Sequence, residues 1–484
     1  MDIGAISVRL VIVVMMASGM PAEQPSPDLK TAQAKFHYKK AREYGDKGLW
    51  APAILELNQA RHLEPRNPDI LIELGIAYGE RRQWKLAIAS LRSAVALAPG
   101  SVRGHYNLAL TLDRADPGKG ASGPEYRKAL KLDPLHVDSL VNLGIIVGDQ
   151  DATEARALFQ QAIRLDPKNA RAHLNLGLLL KRELEESASI SEFREAIQFD
   201  PNLIEARRQL AALLMARQQW DQVIDQCREI LKRQPNDGGD DPSTRYTLGQ
   251  ALIRNHRVDE GTGELERAQV IRQRLRQQQE AQRLQDQGIG DMNLGKLPEA
   301  VKAFASAVEL DPSAANHMYL GVALAASGDV RSGIRALTTA QERDPHDARV
   351  HLNLGSVYLQ AAQDDLAKAE FDRALQMDPW FAEAHNNAGL ILAKQGQMQD
   401  ALDHFRLAAD LNPDYPDAAF NLGLALRALS RLDDALRAFR RAAELAPKNA
   451  RVQYALGLTL KDKGDIAGAR EALDRAAQLE PRKR

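Results

Sequence analysis

A single cysteine, Cys227, stands in 484 residues, which excludes an internal disulfide and any zinc site built on several thiolates. Aromatic residues make up only 5% of the chain, and no strand-rich region stands out. Charge of one sign is also missing: 64 Lys and Arg face 65 Asp and Glu, so no global field draws in nucleic acid or an anionic membrane. The longest apolar run near the start, Leu10 to Met16, is too short for an ordinary transmembrane helix. What is present is length, recurrent Ala and Leu, and 27% charged residues. A chain this long exceeds one globular core, and this composition suits many short amphipathic helices with small packing residues.

At the amino terminus, Arg9, the run LVIVVMM, and then Ala17, Ser18 and Gly19 follow the order of a secretory signal peptide, with cleavage after Gly19 or Ala22. Residues 1–22 are therefore expected to be a signal peptide or anchor and 23–33 a linker. Asp2 and Arg9 fit a signal peptide poorly and leave an uncleaved interfacial anchor or a misassigned start as alternatives. Export to a bacterial periplasm or envelope is the expectation, with a cytoplasmic location as the alternative.

Prolines disclose the organisation of the rest. Pro65, Pro99, Pro134, Pro167, Pro201 and Pro235 are spaced by 34, 35, 33, 34 and 34 residues. Pro312, Pro345, Pro379, Pro413, Pro447 and Pro481 follow at 33, 34, 34, 34 and 34. Proline cannot continue a helix interior and suits a first turn, so each marks a junction between helices. Within a unit, small residues recur where two antiparallel helices must cross closely, with a larger side chain beside them. They read Gly389/Ala401/Phe405/Ala408, Gly355/Ala367/Phe371/Ala374, Gly423/Ala435/Phe439/Ala442, Gly75/Ala87/Leu91/Ala94 and Gly144/Ala155/Phe159/Ala162.

These residues resemble the tetratricopeptide repeat, with its 34-residue length and its L-G-x2-Y, A-x3-F, A, P pattern. Glu73 to Tyr78 and Asn353 to Tyr358 lie close to the family ideal, and the match covers about thirteen units from residue 34 to 481. The resemblance implies an all-α, right-handed superhelical solenoid of about thirteen antiparallel helix pairs. Its NLG-rich units are similar to the repeats of O-linked N-acetylglucosamine transferase, without a catalytic domain. The unit at 102–136 departs from the pattern, because Pro117, Gly118, Gly120, Gly123 and Pro124 must shorten its second helix.

Pro312 follows Pro235 at a spacing of 77, two repeats plus 9. Gly238 to Asp241 precede a degenerate unit, and Glu264 to Gln287 contain neither Gly nor Pro, which reads as one long helix or a tight helical pair. The expected division is a first array at 34–237, an irregular repeat and seam at 238–280, a second array at 281–481 and a basic tail at 482–484. Continuous stacking through the seam is the alternative.

Gly290 to Leu297 nearly spells a phosphate-binding loop, but Leu297 replaces the metal-binding hydroxyl and no strand precedes it. His105, His173, His317, His351 and His385 fall one per repeat, too far apart for two to share a zinc, and are expected to be packing residues with a polar edge. Trp50, Trp84 and Trp220 read as packing at the start of second helices, whereas Trp380 and Phe381 are candidates for an exposed contact spot. With repeats filling residues 34–481, no catalytic domain, metal or small-molecule cofactor is expected.

A protein-binding scaffold is the expected function, taking an extended peptide or a partner's helix on the concave repeat surface. A recruiting module for a separate enzyme such as a glycosyltransferase, or an envelope assembly factor, are the alternatives. The sixth position of the first helix carries Asn107, Asn142 and Asn175 in the first array and Asn353, Asn387 and Asn421 in the second. An amide both donates and accepts, so it can grip a peptide backbone without reading its side chains, a role that the transferase resemblance implies. Leu352, Phe420, Tyr454, Met318, Leu390 and Leu424 occupy neighbouring inward positions in the second array and are expected to supply apolar surface. Lys35, Asp69, Arg103, Asp138, Arg171 and Glu205 alternate in sign along the first array, so pairing across repeats should leave no clamp for a terminal carboxylate. Self-association through the end at Pro481 to Arg484 is a further expectation. Surplus residues and a missing proline predict that limited trypsin digestion cuts first between 236 and 280; fragments cut evenly along the chain would count against that seam.

Overall fold

The computed structural model describes residues 31–116, 121–233 and 241–479. The signal-like segment 1–22, Pro117, Gly118, Gly120, Gly238 to Asp240 and the end at Pro481 to Arg484 lie outside the described residues. Among the described residues there are 25 α-helices and no strand, and no helix is long and apolar enough to cross a membrane.

The chain forms two compact units that meet between Ile146 and Val147. In the first, α1 (Ala32–Asp46) pairs with α2 (Trp50–Leu63), α3 (Pro68–Glu80) with α4 (Trp84–Leu97), and α5 (Val102–Ala115) with α6 (Gly123–Leu132). The unit boundary falls at the end of α7 (Val137–Val147). The second unit opens with α8 (Ala152–Leu165), then pairs α9 (Ala170–Arg182) with α10 (Glu186–Phe199) and α11 (Ile204–Ala216) with α12 (Trp220–Arg233). Next, α13 (Pro242–Arg254) packs on the first half of α14 (Val258–Asn293), whose second half packs on α15 (Leu297–Leu310). The closing pairs are α16 (Ala314–Ala326) with α17 (Val330–Arg343), α18 (Ala348–Gln360) with α19 (Asp364–Met377), and α20 (Ala382–Lys394) with α21 (Met398–Leu411). After them come α22 (Pro416–Ala428) with α23 (Leu432–Leu445) and α24 (Ala450–Asp462) with α25 (Ile466–Leu479). The expected first array, 34–237, contributes to both units.

Local chemistry sets the helix ends. Trailing helices stop two residues before a repeat proline, as at Leu63 before Pro65 and Met377 before Pro379, because proline biases its predecessor away from the α region. Leading helices start on side-chain caps: Asn67, Ser101, Asn169, Ser313, Asp347 and Asn449 each accept a first-turn backbone N–H. In the departing unit, α6 has ten residues where α2 and α4 have fourteen. Its loosened start is stitched to α5, since the Ser122 hydroxyl and the Tyr126 hydroxyl both donate to Asp113.

The core lies where the two helices of a pair cross. Ala367, Phe371 and Ala374 are fully buried, as are their counterparts Ala435, Phe439 and Ala442. A Cβ added at Gly389 would stand 2.7 Å from the Phe405 ring, and one at Gly423 would stand 2.6 Å from Phe439. Glycine is thus required by the approach of an aromatic ring to the opposing backbone, and burying each ring is worth about 1.5–3 kcal/mol.

One helix breaks the alternation. With no Gly or Pro from Glu264 to Gln287 to stop it, α14 runs 36 residues as a single helix. It is the trailing helix of one repeat and the leading helix of the next. Near its end, Gly290 to Asn293 are helical, Gly295 forms the turn at φ +72 and Leu297 opens α15, so the near-match to a phosphate loop is an ordinary helix junction. Trp50, Trp84 and Trp220 begin α2, α4 and α12 and are half-buried. Trp380 and Phe381, considered for an exposed contact spot, are also partly covered.

Two glycine substitutions separate crossing from propensity. Gly389→Ala should destabilise the α20–α21 pair by about 1–3 kcal/mol, the usual cost of overpacking. Gly290→Ala, with nothing within 4 Å of the added Cβ, should stabilise by about 0.5–1 kcal/mol. Urea titrations of both variants decide; equal midpoints would refute the assignment.

Candidate functional site

The leading helices of the last repeats carry the candidate surface. α20 packs against both α18 and α22, and α22 against α24, so equivalent positions of these helices are spatial neighbours. Asn387 and Leu390 are three residues apart and share a helix face, as do Asn421 and Leu424.

The asparagines are joined in a relay that runs across three leading helices. Asn421 Nδ2 donates to Asn386 Oδ1 at 2.9 Å, and Asn386 Nδ2 donates to Asn387 Oδ1 at 3.3 Å. Asn387 Nδ2 then donates to Ser356 Oγ at 3.2 Å, whose hydroxyl donates to the Leu352 carbonyl at 2.8 Å. Asn353 stands apart from this chain of bonds, donating to the Arg349 carbonyl one turn back at 2.9 Å. The Oδ1 atoms of Asn353 and Asn421 have no hydrogen bond within the described residues, and both side chains are half-exposed. Neither Ser356 nor Asn386 stood out in the sequence, although the Asn386–Asn387 doublet was a visible signal.

Apolar neighbours divide into two groups. Tyr454 is 55% exposed, Leu424 39% and Leu390 37%. Leu352 is half-buried against the Phe371 cluster, Phe420 packs against the Phe439 cluster with the Arg451 guanidinium 5.5 Å from its ring centroid, and Met318 is buried in the core. Met318 therefore supplies packing rather than surface.

Two asparagines of the first array make the same bond as Asn353. Asn107 and Asn175 donate to the carbonyls of Arg103 and Arg171 one turn back, at 2.8 and 2.7 Å. Asn142 is buried. The expected charge pairing occurs with other partners: Arg103 meets Glu73 rather than Asp69, at 2.5 Å, where Glu73 also accepts from the Tyr38 hydroxyl. Arg114 reaches Glu80 from α5 to α3 at 2.7 Å, and Arg427 reaches Asp462 from α22 to α24 at 2.8 Å. Such ion pairs between leading helices add little stability each but set register between neighbours.

The histidines form a repeated latch. Nε2 of His105, His173 and His351 donates to the carbonyl of Pro99, Pro167 and Pro345, at 3.0, 3.1 and 3.0 Å. Their Nδ1 atoms each meet a trailing-helix carboxylate at 2.6 Å: Glu125, Glu192 and Glu370. Each ring thus ties the inter-repeat turn to both helices of its pair. The recurrence of Glu nineteen residues after His173 and His351 was legible in the sequence and went unread. At His173 burial disfavours the charged ring, but the Glu192 and Pro167 bonds outweigh it and raise the pKa.

His385 keeps the bond to its proline, with Nε2 donating to the Pro379 carbonyl at 3.0 Å, but its Nδ1 faces His404 Nδ1 at 3.0 Å instead of a carboxylate. Because Nε2 holds the proton, Nδ1 of His385 accepts from His404 in the neutral pair. Burial lowers the pKa of both rings. For His385 the Pro379 carbonyl and Asp378 oppose that and His404 reinforces it; for His404, Asp372, Asp403 and Asp400 oppose it and Lys368 reinforces it. Among the described residues His317 has neither a carboxylate nor a second ring opposite it, and burial with Arg343 lowers its pKa. Cys227 is buried, which pushes its thiol up to about 12 and leaves it unreactive. Among the described residues no group of three or more His, Cys, Asp or Glu is placed to hold a metal ion.

Stacked helix pairs with a proline-closed junction and a glycine-on-aromatic crossing define an α-solenoid of short repeats. Family models of the tetratricopeptide repeat match residues 38–102, 286–330, 320–379 and 420–483, and further models of the same repeat match 150–183 and 380–448. The chain belongs to the tetratricopeptide-repeat proteins, whose fold is that of protein–protein interaction scaffolds. No curated protein matches it. Among solved structures it is similar to MamA, with 26% identity over 34% of this chain and 96% of that one at a TM-score of 0.31. It is also similar to YrrB, described as a TPR protein with an unusual peptide-binding site, with 27% identity over 38% of this chain and 95% of that one at a TM-score of 0.31. The Cut9 and Hcn1 assembly of the APC/C aligns over 93% of this chain and 95% of that one, with 16% identity and a TM-score of 0.41.

The exceptional His385–His404 pair predicts an acid-sensitive repeat. Histidine in an unfolded chain titrates near 6.5, and a folded pKa held below that value contributes stability that is present above about pH 6.5 and lost as pH falls. Amide exchange in α20 and α21, corrected for its intrinsic pH dependence, should speed up between pH 7.5 and 5.5. His404→Glu, which restores the carboxylate of the other latches, should reduce that change; identical protection at both pH values in the wild type would refute it.

Proposed function

We propose that this chain is a protein-binding scaffold whose main capture surface is formed by α18, α20, α22 and α24, and that its ligand is an extended peptide segment of another protein. The carrying observation is the pair of open amide oxygens, Asn353 Oδ1 on α18 and Asn421 Oδ1 on α22, in a run of leading helices that also exposes Leu390 on α20, Leu424 on α22 and Tyr454 on α24. An extended segment presents backbone N–H groups that such oxygens can accept, while its apolar side chains rest on the leucines and the tyrosine. The relay through Asn386, Asn387 and Ser356 supports this reading by holding neighbouring leading helices at one spacing before any ligand arrives, which lowers the ordering cost of binding. Asn107 and Asn175 make the same carbonyl bond as Asn353 and Asn142 is buried, so the preference for the second array rests on the exposed Leu390, Leu424 and Tyr454.

Activity of the scaffold is then capture, without chemistry of its own. Replacing Asn353, Asn387 and Asn421 together by Ala should leave helicity unchanged by circular dichroism and abolish partner capture in a pull-down. Retained capture with this triple variant would mean that the ladder is packing and the partner binds elsewhere.

A further inference from the structure

α14 is bare in its middle. Ile271 is the last residue it buries in the repeat of α13, Ala281 is the first it buries in the repeat of α15, and residues 272–280 are all exposed. Ten residues of helix rise about 15 Å, more than the width of another helix. The two halves also bury different faces, because the thirteen residues from Ala268 to Ala281 make about three and a half turns. The face that α13 covers as far as Ile271 therefore runs on without a cover. Leu275, which continues the Ala268 and Ile271 row, is 37% exposed, and Tyr246 of α13, 39% exposed, closes the near end of this face.

Arginines edge the uncovered face. Arg272, Arg276 and Arg283 recur with Gln279 at i, i+4, i+7 and i+11, the spacing of one helix stripe. In the bare stretch 272–280 there are three arginines, Arg272, Arg274 and Arg276, against one carboxylate, Glu280, in a chain whose net charge is -1. Glu280 is taken by Arg283 at 2.6 Å and Arg267 is held by Glu264 at 2.7 Å. The Arg272 guanidinium carbon stands 4.6 Å from the Tyr246 ring centroid, within cation–π range. Arg276 has no acidic partner among the described residues.

We propose that this overhang of α14 docks an acidic segment of another protein, with an aromatic or aliphatic side chain seated between Tyr246 and Leu275. Charge decides the occupant. A second copy would set one arginine stripe against another, which is repulsive, whereas carboxylates complement the stripe and match the bidentate geometry of guanidinium groups. The surface is separate from the leading-helix face of α18 to α24, so the chain would hold two partners, or two parts of one, at once.

A fluorescein-labelled peptide of Asp and Glu around a central Phe, titrated into the full chain at low salt and followed by anisotropy, tests this. It should bind, with an affinity that falls as salt rises and drops by about tenfold in R272E/R276E. Both positions are exposed, so circular dichroism should show unchanged helicity. The triple Asn→Ala variant should bind the acidic peptide like the wild type, which separates this surface from the peptide-capture face. No binding by the wild type, equal binding by R272E/R276E, or tighter binding of a uridine oligonucleotide through the same arginines would each overturn the proposal.

Discussion

Everything in this structure depends on how closely the two helices of a repeat cross. Gly389 faces Phe405 and Gly423 faces Phe439 with no room for a methyl group between ring and backbone. That contact fixes the angle and spacing of a pair, and a constant pair geometry is what lets one repeat stack on the next. Because the close approach uses glycine and alanine, the core is thin. Most stabilisation must come from many similar small contacts along the stack, so no single central cluster dominates.

On this frame, polar side chains do the joining between elements. The histidine latches use one ring to reach an inter-repeat carbonyl and a trailing-helix carboxylate, and the asparagine relay links α18, α20 and α22 through side chains alone. Both are buried or half-buried, where an unmade hydrogen bond is expensive, so they specify register more than they add stability. His404 marks the one latch in which a second imidazole stands for the carboxylate, and it lies in the same pair of helices as Asn386 and Asn387. The proposed capture surface and the paired imidazoles therefore share one repeat.

α14 is the exception that the repeat physics itself explains. A junction needs a breaker, and the chain supplies none between Glu264 and Gln287, so the trailing helix of one repeat continues as the leading helix of the next. Continuing straight moves the following repeat along the helix instead of beside it. The bare turns with their arginines are the direct result, and an element that looks degenerate in the repeat pattern becomes the most distinctive surface of the chain.

Residue order alone was enough for the architecture: proline spacing and small residues at fixed offsets are local signals, read from chemistry within a few residues of each junction. The shortened α6 was legible for the same reason, from Gly123 and Pro124. Partner choice was not legible. Whether Arg103 meets Asp69 or Glu73, whether an asparagine turns to the carbonyl one turn back or to Ser356 on the next leading helix, and whether Met318 lies in the core or on the surface depend on how residues of successive repeats are brought together. Side chains at one repeat position have several acceptors within reach, and only the stacked geometry selects among them. The sequence left α14 open between one long helix and a tight pair, and tertiary packing decided it, because each half found a separate repeat to bury against.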